Sequence, residues 1–380
     1  MRSAIARCYG YLKNSEWLNW NVIGTVLIVK FLILFFAVQS YQALTDKPVG
    51  DWHSYLKLWS RWDAESYLSI AENGYASEGK QRFLLVFFPL FPVLTALVAA
   101  ILRNYVLSAF IVSGAASIAV GLFFRLLVKL DYSEKTAQSA VFFLFIFPTA
   151  YFLHIPYTKS LFIALVVGCF WAARTERWLA AGILGFLACQ TRVNGIILFP
   201  ALLFEMREQY RAASLINRRW SAALLVPFGF FSYLALNYAV AGNALMFLAY
   251  QREHWNKYLR FPFQGLWEKY QTFLYQSAAN SNIVGFQELL FTAIGLAAIA
   301  FGWKSLRASY RVWIILNWLL FISTSFVLSV PCYTLTMFPI FILMALLTRR
   351  DWRLNVLLTV WSLLYLALFS SLFVRGNWAF

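Results

Sequence analysis

The sequence predicts an all-α membrane protein whose chain crosses the bilayer many times. Hydrophobic residues make up 61% of the 380 residues, charged residues only 13%, and the mean hydropathy is +0.65. Soluble domains carry about twice that share of charged residues. The apolar stretches are continuous, whereas the strands of a membrane β-barrel alternate in polarity. These observations favour a single polytopic domain over residues 1–380.

Apolar stretches long enough to span a bilayer, which takes about 20 residues, recur to the C-terminus. The first of them is expected to direct membrane insertion, because residues 1–20 lack the compact apolar core of a cleavable signal peptide. Together they predict a bundle of about eleven transmembrane helices, at 20–41, 84–102, 106–128, 136–153, 157–173, 178–204, 219–241, 283–302, 310–330, 332–348 and 354–374.

The basic residues predict the orientation. Lys and Arg number 32 against 16 Asp and Glu, which the positive-inside rule explains better than nucleic-acid binding. The connection 129–135 disagrees, because it falls outside in this scheme yet carries Lys129 and Lys135. Two long outside loops remain, at 42–83 and 242–282. With a cytoplasmic N-terminus, the inner connections hold Arg2, Arg7, Lys13, Arg103, Arg207, Arg211, Arg218, Arg219, Lys304, Arg307, Arg311, Arg349, Arg350 and Arg353.

The most acid-dense stretch lies in the first outside loop and reads WSRWDAESYLSIAENGY over residues 59–75. Residues 54–73 contain neither Pro nor Gly and predict one interfacial helix. An acid on the apolar side of such a helix is either an ion-paired structural residue or the general base of a cavity at the membrane face. The apolar stripe of the predicted helix carries Asp63 together with Trp59, Tyr67 and Ile70.

The other charged residues of this helix are predicted to point elsewhere. Glu72 follows Asp63 by nine positions, which places it about half a turn out of phase. Arg61 and Glu65 have the i, i+4 spacing of a helix-surface ion pair. Asp63 is therefore the candidate for chemistry.

The motifs of this stretch resemble those of a known family. RWDAESYLSIAENGY, followed by FFPLFP at 87–92, resembles the PIG-V family of GPI mannosyltransferases and their prokaryotic relatives. The family pattern of WDA, IA-x-x-GY and FFP-x-FP occurs here in order. Further segments are similar to the family, namely FPTAYFLHIPYTKSLF (147–162), QTRVNGIIL (190–198), FLAYQREHW (247–255) and the terminal GNWAF.

The resemblance implies a GT-C glycosyltransferase fold with the catalytic acid, Asp63, in the first outside loop. It implies that mannose, or a similar hexose, moves with inversion from a polyprenyl- or dolichyl-phosphate sugar to a lipid-linked or surface glycan. A base would activate the acceptor hydroxyl, and Arg, Lys, His or backbone donors would bind the departing phosphate. The site would face the non-cytoplasmic side of the cell membrane. A requirement for a partner subunit is left open.

Two positions depart from the family pattern. The family's Tyr-Thr-Glu reads Tyr157-Thr158-Lys159 here, and a late segment in which an Arg precedes an aromatic residue reads Pro331-Cys332-Tyr333. We therefore predict that Lys159 takes the place of the missing Arg at the donor phosphate.

Other polar residues are candidates for binding donor or acceptor. An Arg within an apolar segment, such as Arg192, is costly and by default functional, unless it has a structural partner such as Asn194. His154 either binds phosphate or is a buried core side chain. The polar and aromatic cluster in the second outside loop either lines the pocket or packs on the membrane surface. The candidates are Arg61, Trp62, Tyr67, His154, Tyr157, Lys159, Arg192, Asn194, Gln251, Arg252, His254 and Trp255.

The sequence indicates no particular cofactor. A divalent metal has little support, because Asp51, His53 and Asp63 lack a ligand spacing. Two rival functions remain. A transporter or flippase of lipid-linked sugars would use the intramembrane charges, but it predicts paired half-segments that the sequence lacks. A catalytically inactive scaffold is kept open by the departures at Lys159 and Cys332.

Overall fold

The computed structural model describes residues 18–210 and 219–380. Within these residues the chain is helical, and the only extended pairing is an isolated bridge between Leu259 and Thr324. The α-helices are α1 (Trp20–Thr45), α2 (Trp52–Lys57), α3 (Asp63–Asn73), α4 (Leu90–Leu102), α5 (Tyr105–Lys129), α6 (Glu134–Ile146), α7 (Lys159–Arg174), α8 (Trp178–Cys189), α9 (Leu198–Gln209), α10 (Arg219–Ala223), α11 (Leu225–Ala241), α12 (Met246–Trp255), α13 (Gln264–Tyr275), α14 (Gln287–Gly302), α15 (Ala308–Ile322), α16 (Val330–Thr334), α17 (Pro339–Arg350) and α18 (Trp352–Val374).

The helices confirm a multi-pass membrane protein. In the described part of the chain, five helical stretches are long and apolar enough to cross a bilayer. A sixth candidate is the pair formed by the 3₁₀ turn Lys80–Val86 and α4, which is bent by 110°. The other predicted spans coincide with helices that are shorter or interrupted. The five stretches are Trp20–Thr45, Tyr105–Lys129, Ser221–Ala241, Ser281–Gly302 and Trp352–Val374.

The predicted single span at 178–204 is wrong. Trp178 Nε1 donates a hydrogen bond to the hydroxyl of Tyr210 at 3.1 Å, so the start of α8 and the end of α9 lie at the same end of the bundle. The chain reverses around Gly195, where a Cβ would lie 2.7 Å from the carbonyl carbon of Ala188. The reversal falls in the polar stretch QTRVNG at 190–195, which the prediction counted as part of one long apolar span.

Ion pairs define one end of the bundle, which we call the basic end. Arg174 at the end of α7 binds Asp131 at 2.7 Å, and Arg307 before α15 binds the buried Glu205 of α9 at 2.8 Å. Arg349 at the end of α17 donates to Ser133 at 3.3 Å. The connection 129–135 therefore lies at the same end as Arg174, Arg307 and Arg349, and its predicted placement on the opposite face was wrong.

The prediction for 129–135 failed because 84–102 was counted as a full crossing. A Cβ at Gly121 of α5 would lie 2.8 Å from Val22 of α1, so α1 and α5 run in opposite directions and the chain between them returns to the loop end. Arg103, predicted in an inner connection, precedes α5 and lies at the loop end, which is the end of the bundle opposite the basic end.

The opposite end of the bundle carries both long loops, and we call it the loop end. Lys159, the first residue of α7, lies a helix length of about 24 Å from Arg174. The two loops touch there: Arg82 pairs with Glu253 at 2.6 Å, and the ring of Phe83 stacks on His254 with centroids 4.5 Å apart.

The predicted helix over 54–73 is two helices, α2 and α3, separated by Leu58–Trp62. The segment contains no Pro or Gly, and the helix is interrupted where the side chain of Trp59 enters the core. Trp59 is completely buried, with its ring 5.9 Å from that of Phe373. Arg61 therefore precedes α3, and its guanidinium donates to the carbonyl of Val374 at 2.9 Å instead of pairing with Glu65.

One main cluster of buried hydrophobic side chains extends from Val22 to Phe380. The three cysteines in the described residues are buried and free. Several residues used to predict orientation lie outside the described residues, namely Arg2, Arg7, Lys13, Arg211 and Arg218.

Candidate active site

Asp63 is the first residue of α3, at the loop end. Solvent reaches its side chain, yet protein surrounds it, so the carboxyl group lies within a recess. Among the described residues, no Lys, Arg or His nitrogen comes within the 4.0 Å of an ion pair with this carboxylate. Asp63 is therefore not the ion-paired structural residue that the sequence left open.

Three basic side chains face Asp63 from a longer distance. They are Arg192, Lys159 and Lys257, which come from three separate parts of the chain and which we call the cation cluster. Burial raises the pKa of the Asp63 carboxyl above its usual value, while the three positive charges act in the opposite direction. The carboxylate is thus more basic than that of an ordinary Asp, as a general base requires.

The cation cluster surrounds the ring of Tyr333. Lys159 Nζ lies 4.6 Å from the ring centroid, Lys257 Nζ 5.2 Å and Arg192 Cζ 5.8 Å. Lys257 Nζ also donates to the Tyr333 hydroxyl at 3.3 Å. An aromatic ring attracts cations but neutralises none of their charge. The cluster therefore favours binding of an anion.

The guanidinium of Arg192 has spare hydrogen-bonding capacity. Its Nη1 donates to Thr158 Oγ1 at 3.0 Å, and the Tyr67 hydroxyl lies 3.4 Å from the same oxygen. Its Nε is buried and has no partner among the described residues. These groups lie around the N-terminus of α7, where free backbone N–H groups also favour an anion.

The two departures from the family pattern touch each other. Lys159 is buried, and its ammonium group lies beside the side chain of Cys332 and 4.6 Å from the ring centroid of Tyr333. The position at which an acid is replaced by a base thus adjoins the segment that lacks the expected Arg.

Two of the predicted residues fix the backbone in front of Asp63. The Tyr157 hydroxyl donates to the carbonyl of Arg61 at 2.9 Å, and the Arg61 side chain is tied to Leu58 and Val374 carbonyls. Between these anchors Trp62 adopts φ 56° and ψ −124°, a conformation that favours glycine. The contacts of Arg61 and Tyr157 are thus with protein, and they set the direction of Asp63.

Aromatic rings form a wall beside the acid. Tyr67 is buried, with its ring 5.1 Å from that of Phe87, which in turn lies 6.0 Å from Trp255. Trp62 is 46% exposed and meets the ring of Trp378 edge-on at 5.5 Å. Trp62 and Tyr67, predicted as sugar or lipid contacts, thus lie beside Asp63 in the chain, and Trp255 joins the same wall through Phe87.

The remaining residues of the second outside loop lie farther out. His254 is exposed and stacks on Phe83, and the guanidinium of Arg252 lies 5.2 Å from the ring of Tyr258. The backbone carbonyl of Gln251 accepts a hydrogen bond from Lys257 N at 3.1 Å. Gln251 therefore helps to turn the chain that carries Lys257.

Two predicted residues are not brought into the cluster. Asn194 is buried and donates to Asn317 Oδ1 at 2.8 Å, so it does not partner Arg192. His154 is fully buried beside Phe145, with ring centroids 5.7 Å apart. Neither ring nitrogen of His154 has a partner within the described part of the chain.

Sequence reasoning missed two of these residues, Lys257 and Thr158. Lys257 is one of several basic residues in the second outside loop, and nothing in its neighbourhood distinguishes it. Residues 18–210 and 219–380 contain no group of three His, Cys, Asp or Glu side chains that could hold a metal ion.

The fold and the site define a polytopic helical membrane protein with an acid and a cation cluster in one recess. No protein-family model matches the chain. Over 213 residues the chain is 27% identical to GPI alpha-1,6-mannosyltransferase 2 of Mus musculus, a match that covers 49% of this chain and 42% of that protein. This similarity confirms the resemblance to the PIG-V mannosyltransferases.

Two solved structures match the chain at low identity. They are crystal structures of the Archaeoglobus fulgidus oligosaccharyltransferase, one in complex with Zn and sulfate and one in the apo form. They cover 90% and 92% of this chain and 53% and 55% of their own, at 14% identity, with TM-scores of 0.48 and 0.45. The chain thus spans about half the length of the relatives it matches.

The raised pKa of Asp63 predicts the pH dependence of any reaction in which it is the base. The base form is lost as pH falls through the raised pKa, so the acid limb of kcat/KM should lie above the usual Asp value of about 3.9. Lys257→Met removes a charge that lowers this pKa and should move the limb to higher pH. Rate–pH profiles measure the shift. Lys80→Met, at an exposed lysine of the first loop, should leave the limb in place, and an unmoved limb in Lys257→Met would contradict the assignment.

Proposed function

We propose that this chain is a membrane glycosyltransferase of the GT-C type. It would transfer mannose, or a similar hexose, from a polyprenyl-phosphate sugar to a hydroxyl of a lipid-linked or surface glycan. One observation carries the proposal: among the described residues, the carboxylate of Asp63 has no ion-pair partner and faces three cations that form no ion pair with an acid. The resemblance to the mannosyltransferases supports the choice of sugar.

In the proposed reaction, Asp63 accepts the proton of the acceptor hydroxyl. The hydroxyl oxygen forms a bond to the anomeric carbon of the donor while the bond from that carbon to the phosphate oxygen breaks. The electron pair of the broken bond leaves with the polyprenyl phosphate. A single displacement inverts the anomeric centre, so one carboxylate is enough and a second, nucleophilic acid is not required.

The cation cluster would bind the donor phosphate. A phosphate that links sugar to lipid carries one negative charge, and the released polyprenyl phosphate gains part of a second at neutral pH. Lys159, Arg192 and Lys257 would therefore stabilise the departing group more strongly than the bound donor. Interactions that strengthen towards the transition state raise the rate.

The recess would open on the non-cytoplasmic side of the cell membrane. The basic end carries Arg174, Arg307 and Arg349, in line with the excess of Lys and Arg in cytoplasmic connections. The two long loops at the other end would then meet the lipid headgroups, which is where a lipid-linked donor presents its phosphate. The chain would act as a single membrane domain.

Lys159→Ala tests the phosphate role on its own. Loss of this ammonium group should weaken donor binding by about tenfold or more, since hydrogen bonds to charged groups contribute about 1.5–3 kcal/mol. The donor KM of the purified variant measures the change. Lys47→Ala removes an exposed lysine of the same loop end as a control. Unchanged donor affinity in Lys159→Ala would dispose of the assignment.

The transfer itself is tested with purified protein in lipid. Radiolabelled polyprenyl-phosphate mannose, polyprenyl-phosphate glucose and the nucleotide sugar GDP-mannose are each incubated with membrane lipid and glycan acceptors. Labelled product from a polyprenyl-phosphate sugar alone supports the proposal. Product from GDP-mannose, or none from any donor, would overturn it, and transport of labelled lipid across vesicles without product would favour a flippase.

A further inference from the structure

A buried acid lies behind the cation cluster. Glu288, near the start of α14, has no solvent exposure. Its two carboxylate oxygens accept hydrogen bonds from the backbone N–H groups of Ser329 and Val330, both at 2.7 Å. A carboxylate that receives two short backbone hydrogen bonds holds the direction of that backbone.

The backbone held by Glu288 is a turn with an unfavourable conformation. Ser329 has φ 70° and ψ 23°, in the left-handed region that favours glycine. Such a residue persists only where its surroundings stabilise the conformation. On the other side of the turn, Thr149 donates to the carbonyl of Pro331 at 3.0 Å. The turn is thus fixed by one acceptor and one donor.

This turn begins the short helix α16, which carries Tyr333. The ring of Tyr333 stacks on Phe321 with centroids 4.6 Å apart. The three basic side chains of the cation cluster also lie around this ring. A shift of the turn would therefore move the ring that holds the cations in place. Among the described residues, Glu288 makes no hydrogen bond or ion pair with the groups that face Asp63, and its charge acts on Lys257 only from a longer distance.

We propose that Glu288 is a positioning residue for the site, acting through Ser329 and Val330 on the ring of Tyr333 and hence on the cation cluster. The inference rests on the proposed function of that cluster as the donor-phosphate site. It assigns to Glu288 a role in donor binding rather than in proton transfer. Lys269, a buried lysine of α13, interacts electrostatically with Glu288 and links the second outside loop to the same turn.

Glu288→Gln tests this role. The amide keeps the size of the side chain, but its NH₂ group would face one of the two backbone N–H donors, so the turn should shift. We expect a donor KM at least fivefold higher, an unchanged acceptor KM and a smaller change in kcat. Displaced cations would also lower the pKa of Asp63 less, so the acid limb of kcat/KM should move to higher pH.

A merely structural role would give a different result. A destabilised protein loses active fraction, which lowers kcat and leaves the donor KM and the acid limb in place, and that outcome would overturn the inference. Glu268→Gln, at an exposed acid paired with Arg260, is the matched control. If Glu288→Gln does not fold, Glu288→Asp keeps the charge and should give a smaller shift of the same two readouts; no shift would also overturn it. Wild-type protein that transfers no sugar would refute the proposed function instead.

Discussion

Asp63→Asn is expected to lower the rate of sugar transfer by about 10²–10⁴-fold, the usual contribution of a general base. The amide has the shape of the carboxyl group but cannot accept the proton of the acceptor hydroxyl. Because no described cation is ion-paired to Asp63, the substitution breaks no salt bridge, and the protein should remain folded. Donor binding should persist, since the phosphate contacts lie on the cation cluster. Product formation and donor KM together measure the effect.

Glu65→Gln is the matched control for this experiment. Glu65 lies two positions after Asp63 on the same helix and is exposed, and the described residues contain no ion pair of Glu65 with a cation of the cluster. Its replacement removes an equal charge from the same surface and should leave the rate within about twofold, as expected for a change at the surface. Equal losses of transfer rate in Asp63→Asn and Glu65→Gln would mean that the rate depends on the net charge of the helix and not on a general base at Asp63. A fully active Asp63→Asn protein would remove Asp63 from the reaction.

Much of the helical content could be predicted from the sequence, because apolar stretches of bilayer length report directly on burial in lipid. The reversals were not predicted. Residues 178–204 are mostly apolar, and the polar stretch QTRVNG within them was counted as part of one span, yet the chain turns back there, as the contact between Trp178 and Tyr210 shows. Likewise α2 and α3 part where Trp59 enters the core, with no Pro or Gly to mark the break. Long-range packing decides both cases.

The candidate site was predicted in part for a similar reason. Asp63 could be predicted because an acid on the apolar face of a helix is unusual. Arg192 could be predicted because a charged residue within an apolar segment is energetically costly. Lys159 was found through its departure from a family pattern. Lys257 carries no such conflict, since a lysine in a polar loop is ordinary. Its role follows only from the fold, which brings it within 5.2 Å of the ring of Tyr333.

The four charged groups also explain why the acid needs no partner of its own. Each cation lies close enough to Asp63 to act on its pKa, but none pairs with it. The acid thus keeps its basicity, and the cations keep their capacity for a phosphate. A direct ion pair would neutralise both partners and leave neither for substrate. The contacts of the cluster with Tyr333 and Thr158 hold the charges in this arrangement.

Arg192→Met is expected to raise the donor KM by about 10- to 100-fold, because the buried guanidinium would give the phosphate charge-assisted hydrogen bonds of about 1.5–3 kcal/mol. Arg192 Nε has no partner among the described residues, so the bound donor would be its acceptor. Arg192→Lys keeps the charge but loses the planar fork of donors, and it should fall between wild type and Arg192→Met. Binding of polyprenyl phosphate alone, the leaving group, measures the loss without catalysis.

The matched control for Arg192 is Arg260→Met. Arg260 lies at the same end of the bundle but is exposed and paired with Glu268 at 3.1 Å. Removing it takes away an equal charge outside the recess, where solvent and salt screen it, so the donor KM should change by less than about twofold. A similar rise of the donor KM in both variants would mean that overall positive charge, and not the cation cluster, determines donor binding. Unaltered binding of polyprenyl phosphate to Arg192→Met would show that the lipid phosphate binds elsewhere.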